Sequence, residues 1–302
     1  MMSKAHNKLT LLVDTSSLVY RALFSNPDSI TTPEGTPING AFGFLGMLAR
    51  LVRDQDPAFI ACATDDNWRP AWRTELLPLY KSARALPDSP QAEAEVKLEP
   101  QWGILWEILE AVGVPVIGHD DHEAEDVIGT LAQRSPGPTA IVSGDRDLFQ
   151  LVRDPDVVVL YPRKGVSDLT TVDETYIAEK YGIPPRAYLD YAVLRGDPSD
   201  GLPGVRGIGE KTAAQLLQKY GTIDDIVVAA LEREQGGPLG KVAADVDYVE
   251  KAVQVVTIPT DLPIPDVDLT RPRPEMTPEL EQLGERHGLL NPVRRLVSAL
   301  HG

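Results

Sequence analysis

The sequence predicts an α/β fold: a mostly parallel central sheet flanked by helices, followed by an all-helical C-terminal part. Three observations carry this. Up to residue 161, short apolar runs alternate with helix-spaced segments in the order β-α-β-α-β-α-β, the pattern of a parallel sheet covered on both faces. After about residue 175 the strand signals stop, and helical patterns continue with Gly and Pro between them. Three apolar runs end directly in an aspartate, and in parallel strands such ends meet along one edge of the sheet.

Residues 9–13, 58–63, 114–117, 140–142 and 157–161 read as strands, because they are short, apolar and bounded by turn residues. Between them, 41–53, 98–111 and 124–134 show helical spacing of apolar residues. Residues 85–97 (ALPDSPQAEAEVK) are Pro- and Ala-rich without a clear apolar face, and read as a mobile surface insertion. Further on, 173–181, 186–195, 210–220, 222–233 and 240–256 read as helices. Residues 258–276 are Pro- and Asp-rich and predicted extended, with a last helix at 277–287. The change in pattern predicts two domains, 1–178 and 179–302. There is no repeat at solenoid spacing.

The strand ends carry the chemistry. Leu-Leu-Val precedes Asp14, Ile60-Ala61-Cys62-Ala63-Thr64 precedes Asp65, and Ala-Ile-Val-Ser-Gly precedes Asp145. Asp147 lies two residues after Asp145, in SGDRDLFQLV. Two such carboxylates repel unless a cation or a proton lies between them. A solvated Asp-rich turn is the alternative for this string alone. HEAEDVIGTLAQR adds Glu123, Glu125 and Asp126 at a helix start. Glu123 and Asp126, three apart, share a face, although acids in a first turn also complement the helix dipole. GDPSDG adds Asp197 and Asp200, which an Asx-type turn would also explain. Together these are nine carboxylates from five segments. Hard oxygen donors suit Mg²⁺ or Mn²⁺. No His or Cys set at metal spacing accompanies them, which argues against zinc. Such a cage fits two-metal hydrolysis, with ions about 3.5–4 Å apart on the attacking and leaving oxygens.

The bulk composition sets bounds. Of 302 residues, 42% are hydrophobic and 25% charged, as in an ordinary globular protein. Cys62 is the single cysteine, so internal disulfides and cysteine zinc sites are excluded, and it reads as a core residue in a reducing compartment. No apolar run approaches the ~20 residues that span a bilayer. The N-terminal sequence lacks the apolar stretch of about 7–15 residues of a secretory signal. A cytoplasmic protein without a membrane partner is the expectation. The net charge of −16 argues at first sight against a polyanionic partner. Any nucleic-acid site must then be a local basic patch on an acidic body.

Five strings, LLVDTSSLVYRA, ATDDNWRPAWRTELLPLYKSAR, HEAEDVIGTLA, SGDRDLFQLV and GDPSDGLPGVRGIGEKTAAQLL, resemble, in order and spacing, those of the 5′-nuclease (flap endonuclease) family. The similarity is greatest to the 5′–3′ exonuclease domain at the front of bacterial DNA polymerase I, and spans residues 11–217. The resemblance implies a PIN-like nuclease core, a helical arch near 67–100 and a helix–three-turn–helix near 200–220 in a duplex-binding second domain. It implies metal ligation by Asp14, Asp65, Glu123, Glu125, Asp126, Asp145, Asp147, Asp197 and Asp200. The family usually reads Glu-Ala-Asp-Asp where this chain has Glu123-Ala124-Glu125-Asp126, so Glu125 is one methylene longer than the family pattern. Arg69, Arg73, Lys81 and Arg84 face one acid, Glu75, between 67 and 84, and supply the local basic patch. Lys81 and Arg84 match the family's Tyr-Lys-x-x-Arg and are implied to act catalytically on the scissile phosphate. Tyr80, Trp68 and Trp72 are candidates for stacking on unpaired bases, with core packing as the alternative for the tryptophans.

In the Gly-rich turn, Gly204, Gly207 and Gly209 would let backbone approach a duplex phosphate. Lys211 and Thr212 follow at the start of the next helix, whose amides face the phosphate. The resemblance also implies a K⁺ ion on the carbonyls of this turn. The expected activity is structure-specific cleavage of DNA with a free 5′ end, such as a flap, nick, gap or RNA–DNA primer junction. The expected setting is primer removal and repair, by a monomer without an attached polymerase. A metal-dependent RNase of the same sheet architecture and a non-catalytic DNA-junction binder are the alternatives. The Gly-rich turn argues against the first and the full set of acids against the second.

Overall fold

The computed structural model describes residues 8–232 and 236–302. Its centre is a six-stranded sheet of order β3-β2-β1-β4-β5-β6, formed by β1 (Thr10–Asp14), β2 (Phe59–Ala63), β3 (Val116–Ile117), β4 (Thr139–Val142), β5 (Val157–Pro162) and β6 (Leu169–Val172). β1 to β5 are parallel, and β6 runs antiparallel to β5 on the edge. The strands are apolar on both sides because both faces are covered. Leu12, Ala61, Ile141 and Val159 point into one core. Leu11, Val13, Ile60, Cys62 and Val142 point into the other. Burial pushes the Cys62 thiol up to about 12, so it is an inert core group.

Helices α1 (Thr15–Ser25), α2 (Asn39–Gln55) and α4 (Pro90–Ala111) contribute to the second core. Helix α5 (Ala124–Arg134) contributes to the first. The short α3 (Ala71–Leu76) lies between β2 and α4. The later helices are α6 (Glu174–Tyr181), α7 (Tyr188–Arg195), α8 (Glu210–Tyr220), α9 (Ile223–Glu232), α10 (Gly237–Ala244), α11 (Val246–Val256), α12 (Pro278–Arg286) and α13 (Leu290–His301). They continue the first core, except for α12 and α13, whose Leu283, Val293, Leu296 and Leu300 join the second.

Several expectations change. Residues 85–97 do not form a mobile insertion, because α4 starts at Pro90, is capped by Ser89, and buries Ala94 and Leu98. Residues 240–256 form two helices that meet at Asp245. The helix expected over 222–233 is α9, and residue 233 lies outside the described residues, as do 1–7. Residues 278–302 pack into the second core, while Ile258, Leu262 and Ile264 stay in the first, which the helical half shares with α5. Arg134 holds the carbonyls of Leu262 and Ile264 at 2.6 Å, and α13 packs on α2. β1 and β4 are neighbours from which the chain winds in opposite directions. That switch point opens a crevice at the carboxyl ends of the strands, and Asp14 and Asp145 lie there.

Candidate active site

The ends of β1, β2 and β4 each bring an acid, Asp14, Asp65 and Asp145, to the crevice. Asp14 ends β1 and caps α1, accepting from the Ser17 amide at 3.0 Å. Asp65 follows β2 and accepts from the Ala124 amide at the start of α5 at 2.7 Å. Ser143 follows β4; its hydroxyl donates to Asp14 Oδ2 at 2.5 Å and accepts from the Asp145 amide at 2.9 Å. Asp145 in turn accepts from the Asp147 amide at 2.9 Å. Glu125, Asp145 and Asp147 each offer an oxygen within 4.8 Å of the others. A cavity of about 300 Å³ is lined by Asp14, Asp65, Glu123, Glu125, Asp145, Lys81 and Arg84.

Lys81 reaches the crevice from a constrained backbone. Its φ is +48°, in the left-handed region that non-glycine residues seldom occupy. Its amide donates to the Asp200 carbonyl at 2.8 Å, and its ammonium pairs with Glu123. Arg84 pairs with Asp200. Both cations therefore stand against the acids. Tyr80 is different: it is buried, and its hydroxyl donates to Glu123 Oε2 at 2.7 Å, so its ring packs inside instead of stacking on bases. Arg69 also turns inward, donating to the carbonyls of Tyr80 at 2.7 Å and Pro78 at 3.0 Å.

Two expected site residues lie behind the cage. Arg73 is completely buried and paired with Glu123, Glu125 and Asp126, so it cannot contact DNA from there. Asp126 is equally buried. Its oxygens accept from Arg73 at 2.6 and 3.1 Å and from the Glu123 amide at 3.1 Å, which turns it away from the cavity. Asp197 caps a short turn, accepting from the Ser199 amide at 2.9 Å, and lies on an adjoining cleft of about 650 Å³. That cleft shares Arg84, Gly144 and Asp145 with the cavity and extends to Gly209 and Glu210. Sequence reasoning missed Ser143, Arg195 on this cleft, and Tyr20, which lines the cavity with its hydroxyl 2.5 Å from Gln91 Nε2. The spacing of Ser16, Ser17 and Tyr20 after Asp14 on one helix would have pointed to the last.

The glycines of the turn serve different ends. A Cβ on Gly204 would strike the Arg195 carbonyl and lie 2.7 Å from the Gly196 amide. Gly204 therefore closes the turn on its own chain, and does not open it to a phosphate. Gly207 faces Lys241, whose ammonium donates to its carbonyl at 2.8 Å. Gly209 alone of the three has open space where a Cβ would stand. It precedes α8, whose first amides have no side-chain cap, with exposed Lys211 and half-buried Thr212 in the first turn.

The donor set fits divalent cations. Burial, then Asp65, pushes Asp14 up to about 7. Burial, then Glu123, holds Glu125 well above the carboxylate range, and burial, then Asp145 and Asp200, does the same to Asp147. Burial would raise Glu123 too, but Lys81 and Arg73 hold it below its usual value. Acids crowded this way are under-compensated by protein cations, and their oxygens suit hard metal ions.

A carboxylate crown at a switch point, faced by Lys and Arg, defines the class of metal-dependent phosphodiesterases. Residues 9–182 match the family model described as 5′-3′ exonuclease, N-terminal resolvase-like domain, and 183–276 match 5′-3′ exonuclease, C-terminal SAM fold. The chain belongs to the 5′–3′ exonuclease family and is a nuclease hydrolase. A 5′-3′ exonuclease of Streptomyces coelicolor is 43% identical over 96% of this chain and 99% of that protein. DNA polymerase I of Mycobacterium bovis is 43% identical over 72% of this chain, which matches 24% of that longer protein. The bacteriophage T5 D15 flap endonuclease, solved as a pseudo-enzyme-product complex with DNA and metal ions, shares the fold. Its TM-score is 0.68 at 15% identity, over 97% of this chain and 100% of that one.

Proposed function

We propose that this nuclease cuts DNA with a free 5′ end near the junction of single strand and duplex, as a 5′–3′ exonuclease and flap endonuclease in primer removal and repair. The supporting observation is one continuous surface. The carboxylate cavity shares Arg84, Gly144 and Asp145 with the cleft that leads to Gly209 and the open start of α8.

Asp14, Asp65, Glu123, Glu125, Asp145 and Asp147 would hold two Mg²⁺ or Mn²⁺, with Asp197 and Asp200 at the outer edge. When bound, such ions supply an activated water and charge for the attacking and leaving oxygens. Lys81 and Arg84 neutralise the phosphate and the charge that grows on it. Burial would lower the Lys81 ammonium, but Glu123, Tyr80, Glu125 and Asp200 together outweigh it and hold that group well above its ordinary value, so it stays cationic throughout. Gly209, Lys211 and Thr212 hold a duplex phosphate without reading sequence. A K⁺ ion on the carbonyls of the 204–209 turn would strengthen that grip, so duplex affinity should fall when Li⁺ replaces K⁺.

The test is cleavage of a labelled 5′ flap, a blunt duplex and single-stranded RNA in Mg²⁺, Mn²⁺ or EDTA. Metal-dependent cutting at the flap junction, leaving a 5′ phosphate, is the expected result. Cutting of RNA alone would favour the RNase alternative, and binding without cutting the junction binder. Asp145→Asn with Asp147→Asn should abolish cutting while flap binding survives. Lys81→Ala should lower turnover much more than duplex affinity.

A further inference from the structure

Arg73 is fully buried, and each guanidinium nitrogen has a partner. Nη2 donates to Asp126 Oδ1 at 2.6 Å and lies 3.2 Å from Glu125 Oε1. Nη1 donates to Glu123 and, at 3.1 Å, to Asp126 Oδ2. Nε donates to the Val255 carbonyl in α11 at 2.9 Å. The Trp72 ring packs 4.6 Å from the guanidinium carbon. One side chain from the six-residue α3 thus joins the acidic first turn of α5 to α11 in the helical half.

From these contacts we infer that Arg73 is a positioning residue for the metal cage, and not a DNA contact. The inference rests on the reading of Glu125, Asp145 and Asp147 as metal ligands. Glu123, Glu125 and Asp126 crowd one helical turn, and three buried carboxylates there would splay or protonate without a cation behind them. Arg73 engages both oxygens of Asp126 and so keeps that acid behind the cage. It restrains Glu125 from the same side while the Glu125 carboxylate still offers an oxygen within 4.8 Å of Asp145 and Asp147. The longer Glu125 arm has one more bond to fix than an aspartate, so it depends most on this restraint. A lysine would keep the charge but not the fork that spans Asp126, Glu125 and Val255.

The test uses Arg73→Lys and Arg73→Gln in the full chain, with three readouts: Mn²⁺ binding to the DNA-free protein by calorimetry, flap affinity in EDTA, and near-ultraviolet circular dichroism. Folded Arg73→Lys should bind Mn²⁺ at least ~10-fold more weakly, the scale for losing the partner of a metal ligand, with flap affinity within about 2-fold of the parent. Wild-type Mn²⁺ affinity in a folded Arg73→Lys protein would overturn the inference, as would lost flap affinity with intact Mn²⁺ binding. Asp126→Asn probes the same link from the other end if both arginine variants misfold. It should weaken Mn²⁺ binding, and unchanged binding would overturn the inference. A parent protein that binds no Mn²⁺ would instead sink the metal reading on which the inference rests.

Discussion

At the scale of single residues, Ser143 shows how little holds the cage together. Its hydroxyl serves Asp14 and its oxygen receives the Asp145 amide, so one side chain sets the spacing of two strand-end acids. It also lowers the pKa of Asp14 against burial and Asp65. Ser143→Ala should therefore raise Asp14 further above about 7 and move the acidic limb of the pH–rate profile upward. Single-turnover cleavage between about pH 6 and 9 checks this, and an unmoved limb would show that Asp14 does not limit metal loading. Gly201 is the second such position. Its φ is +71°, and a Cβ would strike the Leu79 carbonyl and lie 2.8 Å from the Leu79 carbonyl carbon. Gly201→Ala should push the Leu79–Lys81 backbone off the Asp200 carbonyl and cut turnover about as much as Lys81→Ala, with duplex binding retained. The acids at strand ends were legible in sequence because an apolar run followed by Asp has one common meaning in a parallel sheet. Asp126 and Arg73 were not. Helical spacing puts Glu123 and Asp126 on one face, but only the guanidinium from α3 decides which of them faces the cavity.

At the scale of elements, α4 shows why the first turns of a helix can escape sequence reading, since only 98–111 of Pro90–Ala111 carry the helical spacing. Its first turns are rich in Ala, Glu and Gln, and only Ala94 and Leu98 face the core before Pro100 interrupts the pattern. Its role lies in a distant contact. Helix α2 has no side-chain cap of its own, and buried Gln101 of α4 accepts from the Gly40 and Ala41 amides at 2.9 and 3.1 Å. Gln101→Ala would strand both amides inside the protein, a cost of about 1–3 kcal/mol. Denaturant unfolding should show that loss, while cleavage at low temperature stays near the parent value. Helix α13 escaped for another reason. Asn291-Pro292 after Gly288 reads as a breaker, yet Pro292 sits in the first helical turn, where no amide partner is required. β6 carries Leu-Thr-Thr-Val with no apolar run and exists through its pairing with β5.

For the whole molecule, the charge of −16 misleads about the partner but describes the energetics. Burial raises Asp14, Asp65, Glu125, Asp147 and Asp200, so the folded protein binds protons that the unfolded chain releases. An acid raised in the folded state favours folding below its ordinary pKa, and that contribution is lost as pH rises through the folded value. For Asp14 the window runs from 3.8 to about 7. Glu123 is lowered, so its contribution is lost only as pH falls through a still more acidic value. The DNA-free protein in EDTA should therefore melt at a lower temperature at about pH 8 than at about pH 5.5. Divalent ions take the place of those protons and compete with them, so the rise in Tm on adding Mn²⁺ should be larger at the higher pH. Equal or smaller stabilisation at the higher pH would mean that the raised acids do not bind the ions. The same repulsion that makes the metal-free crevice costly to fold would give it affinity for a divalent cation.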